Sequence, residues 1–380
     1  MFYVVKNSWA LLLGMMLLML GNGLQGTLLG VRGAIENMSP QTMSWVMTGY
    51  FVGFLFGSQM APNMIRRVGH VRVFAALGSL VSACFILYAA WTNPYFWFFL
   101  RVVVGFCFSG VYVVAESWLN DSATNETRGQ TLSAYLIVQM MGIVLAQGVL
   151  NFADPSGYTL FIIISVVVSL SFAPILLSVS PAPKFITSKP MTFRELWKVS
   201  PLGVVGLFFL SDRMDRRVLI VAVCGVGMVF AFGAGASDNF VWLLVVAFMI
   251  GGVANPLYSL FIAYSNDFLE HDDMASASGG LIFLTGVGAI FGPAVVGWML
   301  EAFGANSYFW FLGANMAIMG GYALYRMTQR PAVAVEDTTA YAPVGPTSTP
   351  VAMELAQEYA IDMALEEEAE NDTGDSEANH

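Results

Sequence analysis

A single arginine stands where arginines are seldom tolerated. Arg101 lies inside the apolar run Tyr95–Leu119, and a charge at the centre of a spanning helix costs at least about 2.5–3.5 kcal/mol on insertion scales. Such a residue faces a cavity or a partner. Two chemistries suit it: anchoring an anionic solute, or modulating a nearby proton site. The plainer reading is snorkelling, because Arg101 lies six residues from one end of its run and a long stem can carry the guanidinium to the interface. Glu116 stands three residues before the other end of the same run. It can titrate and couple proton flow, or pair with Arg128 or with the Arg66–Arg67 loop to close the inner side of a pathway. A carboxylate beside an arginine stays ionised, which favours the gate. The uncharged groups Asn22, Gln25, Gln139, Gln147, Asn255 and Asn315 also fall inside apolar runs. Each can line a solute path or simply hydrogen-bond a neighbouring helix. Gln139 and Gln147 are eight residues apart and are expected on one face of their helix.

Other chemistries find no support. The chain has no GxxxxGK[ST] phosphate loop, no nucleophile–base pair and no metal-ligand spacing, so an enzyme or an autonomous pump is not expected and no cofactor is implied. Cys84, Cys107 and Cys224 sit in apolar runs, and His70, His271 and His380 are scattered. No patch of basic residues is dense enough for nucleic acid.

The elements that must position these residues follow from composition. In 380 residues, 57% are apolar and 11% charged, with a mean hydropathy of +0.67. Such a chain cannot cover itself with polar surface, so lipid is its main solvent. A spanning helix needs about 20 mostly apolar residues. Six runs fill the first part of the chain: Trp9–Val31, Ser44–Met64, Val71–Trp91, Tyr95–Leu119, Thr131–Val149 and Tyr158–Val179. Four follow: Val218–Ala236, Phe240–Tyr264, Gly279–Leu300 and Tyr308–Tyr325. The expected fold is an all-α polytopic membrane protein. Barrel strands would instead alternate apolar and polar residues. With the N-terminus in the cytoplasm, 14 of the 16 basic residues fall inside, Arg32 falls outside and Arg101 within a span. The charge rule therefore places both termini in the cytoplasm. The net charge of −10 comes from the end of the chain, where residues 331–380 carry 12 of the 26 acids and no Lys or Arg. That acidic tail has the composition of disorder.

The chain also repeats itself. A shift of 146 residues superposes Gly105 on Gly251, Asn120-Asp121 on Asn266-Asp267, and Gly142 on Gly288. The apolar runs superpose as well, and internal repeats are common in transporters. The front of the second half does not fit. Two spans and a loop in the first half, Trp9 to Pro62, correspond to the short stretch Leu202–Asp212. Its apolar part, Leu202–Leu210, would rise about 14 Å as a helix against roughly 30 Å of hydrocarbon. A hairpin of two helices, about 43 residues by the 146-residue register, is expected to be missing.

These motifs resemble the major facilitator superfamily. Asp212-Arg213-Met214-Asp215-Arg216-Arg217 is similar to that family's DRxGRR loop, with Asp215 in place of its glycine. A first-half copy runs from Gly57 through Arg66-Arg67-Val68-Gly69-His70 and lacks the acid. Arg101-Val-Val-Val-Gly105 resembles the RxxxG motif of the fourth span. Glu116 with Arg128-Gly129 resembles an inner-gate charge pair, and the runs around Glu116 and around Gly286–Pro293 look closest to a YcaD-like branch. The resemblance implies two six-helix bundles and alternating access, here reduced to six and four helices. It implies a cavity lined by the first, fourth, seventh and tenth family helices, which singles out Gln25 and Asn255. It makes Asp212, Arg213, Arg216 and Arg217 inner-gate charges.

The expected organisation is an N-terminal bundle over residues 1–182, a cytoplasmic linker over 183–217, a four-helix remnant over 218–330 and the tail over 331–380. The expected function is secondary transport of a small solute across a plasma membrane, a bacterial inner membrane, with protons as a candidate coupling ion and lipid as the surroundings. The alternative is a transport-deficient deletion product or a membrane scaffold. Gly286, Gly288, Gly292, Pro293 and Gly297 are read as a small-residue stripe for helix contact.

Overall fold

Each of the apolar runs folds as a helix. The computed structural model describes residues 2–122, 128–177, 216–234, 239–266 and 271–329. They form α1 (Phe2–Ile35), α2 (Pro40–Val68), α3 (His70–Ala90), α4 (Pro94–Ser122), α5 (Arg128–Val149), α6 (Thr159–Ser171), α7 (Ala173–Leu177), α8 (Arg216–Ala234), α9 (Phe240–Asn266), α10 (His271–Phe303) and α11 (Ser307–Gln329). Among the described residues there is no strand. Among the described residues seven helical rods are long and apolar enough to cross a bilayer on length and hydropathy alone, α6 and α7 together making one of them. The stub Leu202–Leu210 and the acidic tail lie outside the described residues.

Local chemistry sets the helix ends. Ser39 caps α2 by accepting the Thr42 N–H at 3.2 Å, and Pro40 opens the helix where its missing N–H costs nothing. Gly69 closes α2 with φ of 86°, a backbone conformation that a side chain would strain, and its N–H returns to Ile65 O at 2.8 Å. The sharp reversal starts α3 one residue later. At α4, Asn93 Oδ1 accepts the N–H groups of Tyr95 and Phe96 at 2.9 and 3.3 Å. Asn239 Oδ1 does the same at α9 for Val241 and Trp242, at 2.9 and 3.3 Å. The two caps stand 146 residues apart, the repeat distance read from the glycines. The repeat thus extends to the device that starts each helix.

The described helices fall into two compact units. The first holds α1–α7 together with the Gly279–Ala302 part of α10. Its core joins Leu18, Phe74, Val81, Phe85, Trp97 and Phe108, all buried, among others from α1, α3, α4 and α6. Large apolar side chains on its outside, such as Trp45, Phe56, Phe99 and Val144, are more than half exposed and suit a lipid solvent. The second unit holds α8, α9 and α11, with Leu219, Cys224, Val253, Leu260 and Met316 at its centre. Grouping by sequence puts all of α10 with the C-terminal helices, whereas its Gly279–Ala302 stretch rests on α2. Gly286 faces the Leu55 side chain, Gly297 faces Ser44, and Thr48 Oγ1 donates to Ile290 O at 3.3 Å. Gly288 and Gly292 have no described neighbour within 4 Å, so of the four glycines in the expected stripe only Gly286 and Gly297 lie at a described close contact.

The tightest helix pair is α2 with α4. A Cβ on Gly53 would collide with Val102 O, and one on Gly105 with Tyr50 O. Gly49 and Gly57 extend the same seam, facing Phe98 O and Phe106 O. Glycines at this four-residue spacing let two backbones touch, and in lipid such close contact is the main drive for association. Elsewhere hydroxyls tie the helices. Ser82 Oγ on α3 lies 2.7 Å from Ser165 Oγ and 2.8 Å from Ser169 Oγ on α6.

Replacing Gly53 or Gly105 by Val forces these backbones apart. Overpacking of a well-fitted contact costs about 1–3 kcal/mol or more. Thermal unfolding in detergent should show each variant with a midpoint lowered by several degrees or with no monodisperse peak. Gly26→Ala on α1, where a Cβ meets nothing within 4 Å, should match the parent protein.

Candidate functional site

The approach of α2 to α4 decides where Arg101 points. Gly105 lets the Tyr50 backbone lie against α4, and one turn earlier the Arg101 guanidinium sits over the Tyr50 ring, 5.0 Å from its centroid. Arg101 Nη1 donates to Gln25 Oε1 on α1 at 3.0 Å. Arg101 is 7% exposed and Gln25 is 0% exposed. The snorkelling reading is therefore wrong for this side chain. It turns into the bundle, where a cation–π contact and an amide oxygen offset part of its desolvation. Tyr88 on α3, also buried, lies near the same charge and beside Gln25. It is held from behind by Trp97, whose Nε1 donates to Tyr88 O at 3.2 Å and to Trp91 O at 2.8 Å. Four helices thus supply one polar cluster: Gln25, Tyr50, Tyr88 and Arg101. It lies toward the end where α1 turns into α2 and α3 into α4.

The same end carries a second charged contact. Arg32, in the last turn of α1, pairs with Glu36 at 2.6 Å and reaches Pro155 O and Gly157 O at 3.4 and 3.5 Å. It braces the α1–α2 turn against the α5–α6 turn. In that turn, the Ser156 N–H donates to Asp154 Oδ1 at 2.9 Å and holds the Asp154 carboxyl below its ordinary pKa, with Arg32 as a further, smaller cause.

The polar path continues inward from the Arg101 cluster. Asn22 Nδ2 reaches the Tyr112 hydroxyl at 3.5 Å, and Tyr112 Oη donates to Met19 Sδ at 3.2 Å. One turn further along α4, Tyr135 Oη donates to Glu116 Oε1 at 3.2 Å. Glu116 is 2% exposed. One of its partners is thus a tyrosine from α5, the helix that Arg128 begins. The Arg128 side chain lies outside the described residues, as do those of Arg216 and Asn255. Asp212 and Arg213 lie outside them altogether, while Arg217 is buried at the start of α8. Arg66 and Arg67 are exposed at the end of α2, and beside them His70 Nε2 lies 3.1 Å from Ser117 Oγ on α4. Of the expected inner charges, topology brings Glu116, Arg66, Arg67 and the start of α5 to one end of the first unit.

Gln139 and Gln147 do not share a face. Gln139 is buried, whereas Gln147 is exposed and accepts from Thr27 Oγ1 at 3.2 Å. Eight residues at about 100° each leave an offset of about 80°, enough to separate core from surface. Asn315 donates to Phe311 O of its own helix at 2.8 Å and so is spent locally. The tyrosines are the residues that spacing did not single out. Their signal was available in one respect: a hydroxyl inside an apolar run needs a partner, as an amide does.

Arg101 and Gln25 make a coupled pair. Substituting one leaves the other buried without its bond, so the costs should not add. Thermal midpoints in matched detergent should fall for Gln25→Ala and for Arg101→Ala, and the double variant should fall no further than Arg101→Ala alone. Additive losses would show that the two side chains act independently.

Comparison with known proteins agrees with this architecture. The family model described as Major Facilitator Superfamily matches residues 11–210 and 202–352. The chain is 22% identical to "Uncharacterized MFS-type transporter YcaD" of Salmonella paratyphi A, covering 81% of this chain and 93% of the relative. It is also 22% identical to the protein of that name from Salmonella typhi, covering 79% and 90%. The first alignment runs over 356 positions. It takes in about 308 residues of this chain, so about 48 positions face a gap. The fold is similar to the crystal structure of the nucleoside transporter NupG, with a TM-score of 0.63 at 12% identity, covering 85% of this chain and 99% of that one. A D323A mutant of NupG matches with a TM-score of 0.65.

Proposed function

The chain belongs to the Major Facilitator Superfamily, and we propose that it is a secondary transporter that carries a small solute by alternating access. The observation that carries this reading is the buried Arg101–Gln25 pair inside membrane-spanning helices. A buried charge in such a helix is expensive, and solute or ion pathways are where it is usually kept. The polar groups along α1 and α4, from Gln25 and Arg101 through Asn22 and Tyr112 to Glu116, supply a continuous series from one end of the first unit toward the other. Glu116, Arg128, Arg66 and Arg67 form the inner closure in this reading, with Asp212, Arg213, Arg216 and Arg217 as its counterpart in the second half. Gln139 and Asn255 complete the candidate pathway, and Gln147 belongs to a helix contact. Protons are the candidate coupling ion. In this reading the membrane is a bacterial inner membrane, and the distribution of Lys and Arg supports both termini in the cytoplasm.

A second reading has its own support. About 48 positions of the YcaD alignment have no residue of this chain, a number close to the roughly 43 residues expected to be missing before Asp212. Two absent helices would remove part of the wall that seals a carrier in each state. In that reading the chain is a deletion product or scaffold with weak or leaky transport.

Solute flux in proteoliposomes at matched protein content separates the two. A carrier gives saturable, counterflow-competent uptake, and collapse of an imposed proton gradient should slow it if protons drive it. A deletion product gives unsaturable leak, and insertion of about 43 residues of hairpin from a relative should convert leak into saturable uptake. For topology, cysteines placed at Ser200 and Ser211 should both label from the cytoplasmic side, because Leu202–Leu210 is less than half the length of a span. Labelling of one of them from outside would overturn the ten-span arrangement.

A further inference from the structure

The Arg101 cluster contains too many donors. Arg101 has five N–H groups and one hydrogen bond among the described residues, from Nη1 to Gln25 Oε1. Its Nε is buried without a partner. That bond engages the only acceptor atom of the Gln25 side chain, and buried Gln25 Nε2 completes no well-formed hydrogen bond, with Tyr88 as its polar neighbour. The hydroxyls of Tyr50 and Tyr88 are buried as well; Tyr88 lies beside Gln25 and Tyr50 beside Asn22 and Tyr112, and neither hydroxyl completes a well-formed hydrogen bond there. Among the described residues Arg101 pairs with no carboxylate. The cluster therefore offers N–H and O–H groups from α1, α2, α3 and α4, carries one positive charge, and holds no free acceptor except on the tyrosines.

We propose that this cluster is a recognition site for an organic monoanion, whose carboxylate docks on the Nε–Nη2 edge of Arg101 and accepts from Gln25 Nε2 and from the Tyr88 or Tyr50 hydroxyl. The proposal rests on the transporter reading and names its substrate class. A planar carboxylate matches the fork of a guanidinium at two points, which an ammonium cannot offer. Water could fill the hydrogen bonds but would leave the buried charge uncompensated, and that charge is the larger cost. A monoanion brings the site to neutrality, whereas a phosphate dianion would overshoot it. At 7% and 0% exposure, Arg101 and Gln25 are closed over in this structure. A ligand reaches them when the surrounding helices part, as a carrier's helices do in each cycle.

The test uses the full-length protein and two matched pairs of probes, benzoate with benzamide and lactate with lactamide, plus inorganic phosphate. Thermal shift and titration calorimetry in detergent should show saturable binding of at least one carboxylate and at least tenfold weaker binding of its amide. Arg101→Lys should weaken carboxylate binding tenfold or more, and Arg101→Ala should abolish it. Tyr88→Phe and Gln25→Leu, which keep the shape of the site, should each weaken it severalfold while the protein stays monodisperse. Equal binding of acid and amide, preference for phosphate, absence of carboxylate binding, or indifference to all four variants would overturn the proposal. Flux measurements keep it distinct from the transporter reading. Saturable uptake of a neutral solute, unchanged in Arg101→Ala, would retain transport and reject the anion site. Carboxylate binding lost in Arg101→Ala, with no saturable flux of that carboxylate, would retain the site and reject transport.

Discussion

The contact of α2 with α4 through glycine governs the first unit. Gly53 lies against Val102 O and Gly105 against Tyr50 O, so the two backbones meet without side chains between them. In water a bundle can be held together by excluding solvent from apolar faces. In lipid that drive is absent between helices, and close fit with internal hydrogen bonds must replace it. The glycines do more than save space. The Arg101-x-x-x-Gly105 spacing puts the position that admits the Tyr50 backbone one turn from the position that needs the Tyr50 ring. One sequence motif thus secures a helix contact and gives a buried charge its neighbour.

The buried polar groups divide by position along the helices. Toward the α1–α2 end lie Arg101, Gln25, Tyr50 and Tyr88, a set with a positive charge and spare donors. Further along α4 lie Tyr112 and then Glu116, the latter receiving a bond from Tyr135. The opposite charges are therefore kept about fifteen residues apart on one helix, roughly 22 Å at 1.5 Å per residue, and cannot cancel by pairing. Each buried charge therefore carries its own desolvation cost, offset by the polar groups around it.

The second unit repeats the first at the level of local chemistry. Asn93 and Asn239 cap equivalent helices with the same pair of N–H groups and the same distances. Trp97 and Trp242 each send an indole N–H back to a carbonyl of the preceding helix or its end. The likeness extends from the cap to the first turn of each helix.

Much of the architecture was legible in the residues. Apolar runs of about 20 residues define spans because the bilayer has a fixed thickness and backbone polar groups must be satisfied within it. The repeat, the family motifs and the isolation of Arg101 in a span are likewise properties of order and spacing. Burial direction was not legible. Arg101 could reach the interface or the interior, and only the approach of α1 and α2 decided for the interior. Gln139 and Gln147 looked equivalent by separation, yet an 80° offset put one in the core and one on the surface. Tyr50, Tyr88 and Tyr135 carried no distinguishing spacing. Their roles arise from partners 51, 13 and 19 residues away, Arg101 for the first two and Glu116 for the third. Sequence by itself determined which segments lie in lipid, because hydropathy and length act within one segment. Tertiary structure alone decided which polar atoms meet and which stay unpaired, because those contacts depend on the distance and rotation between helices that the chain joins only at their ends.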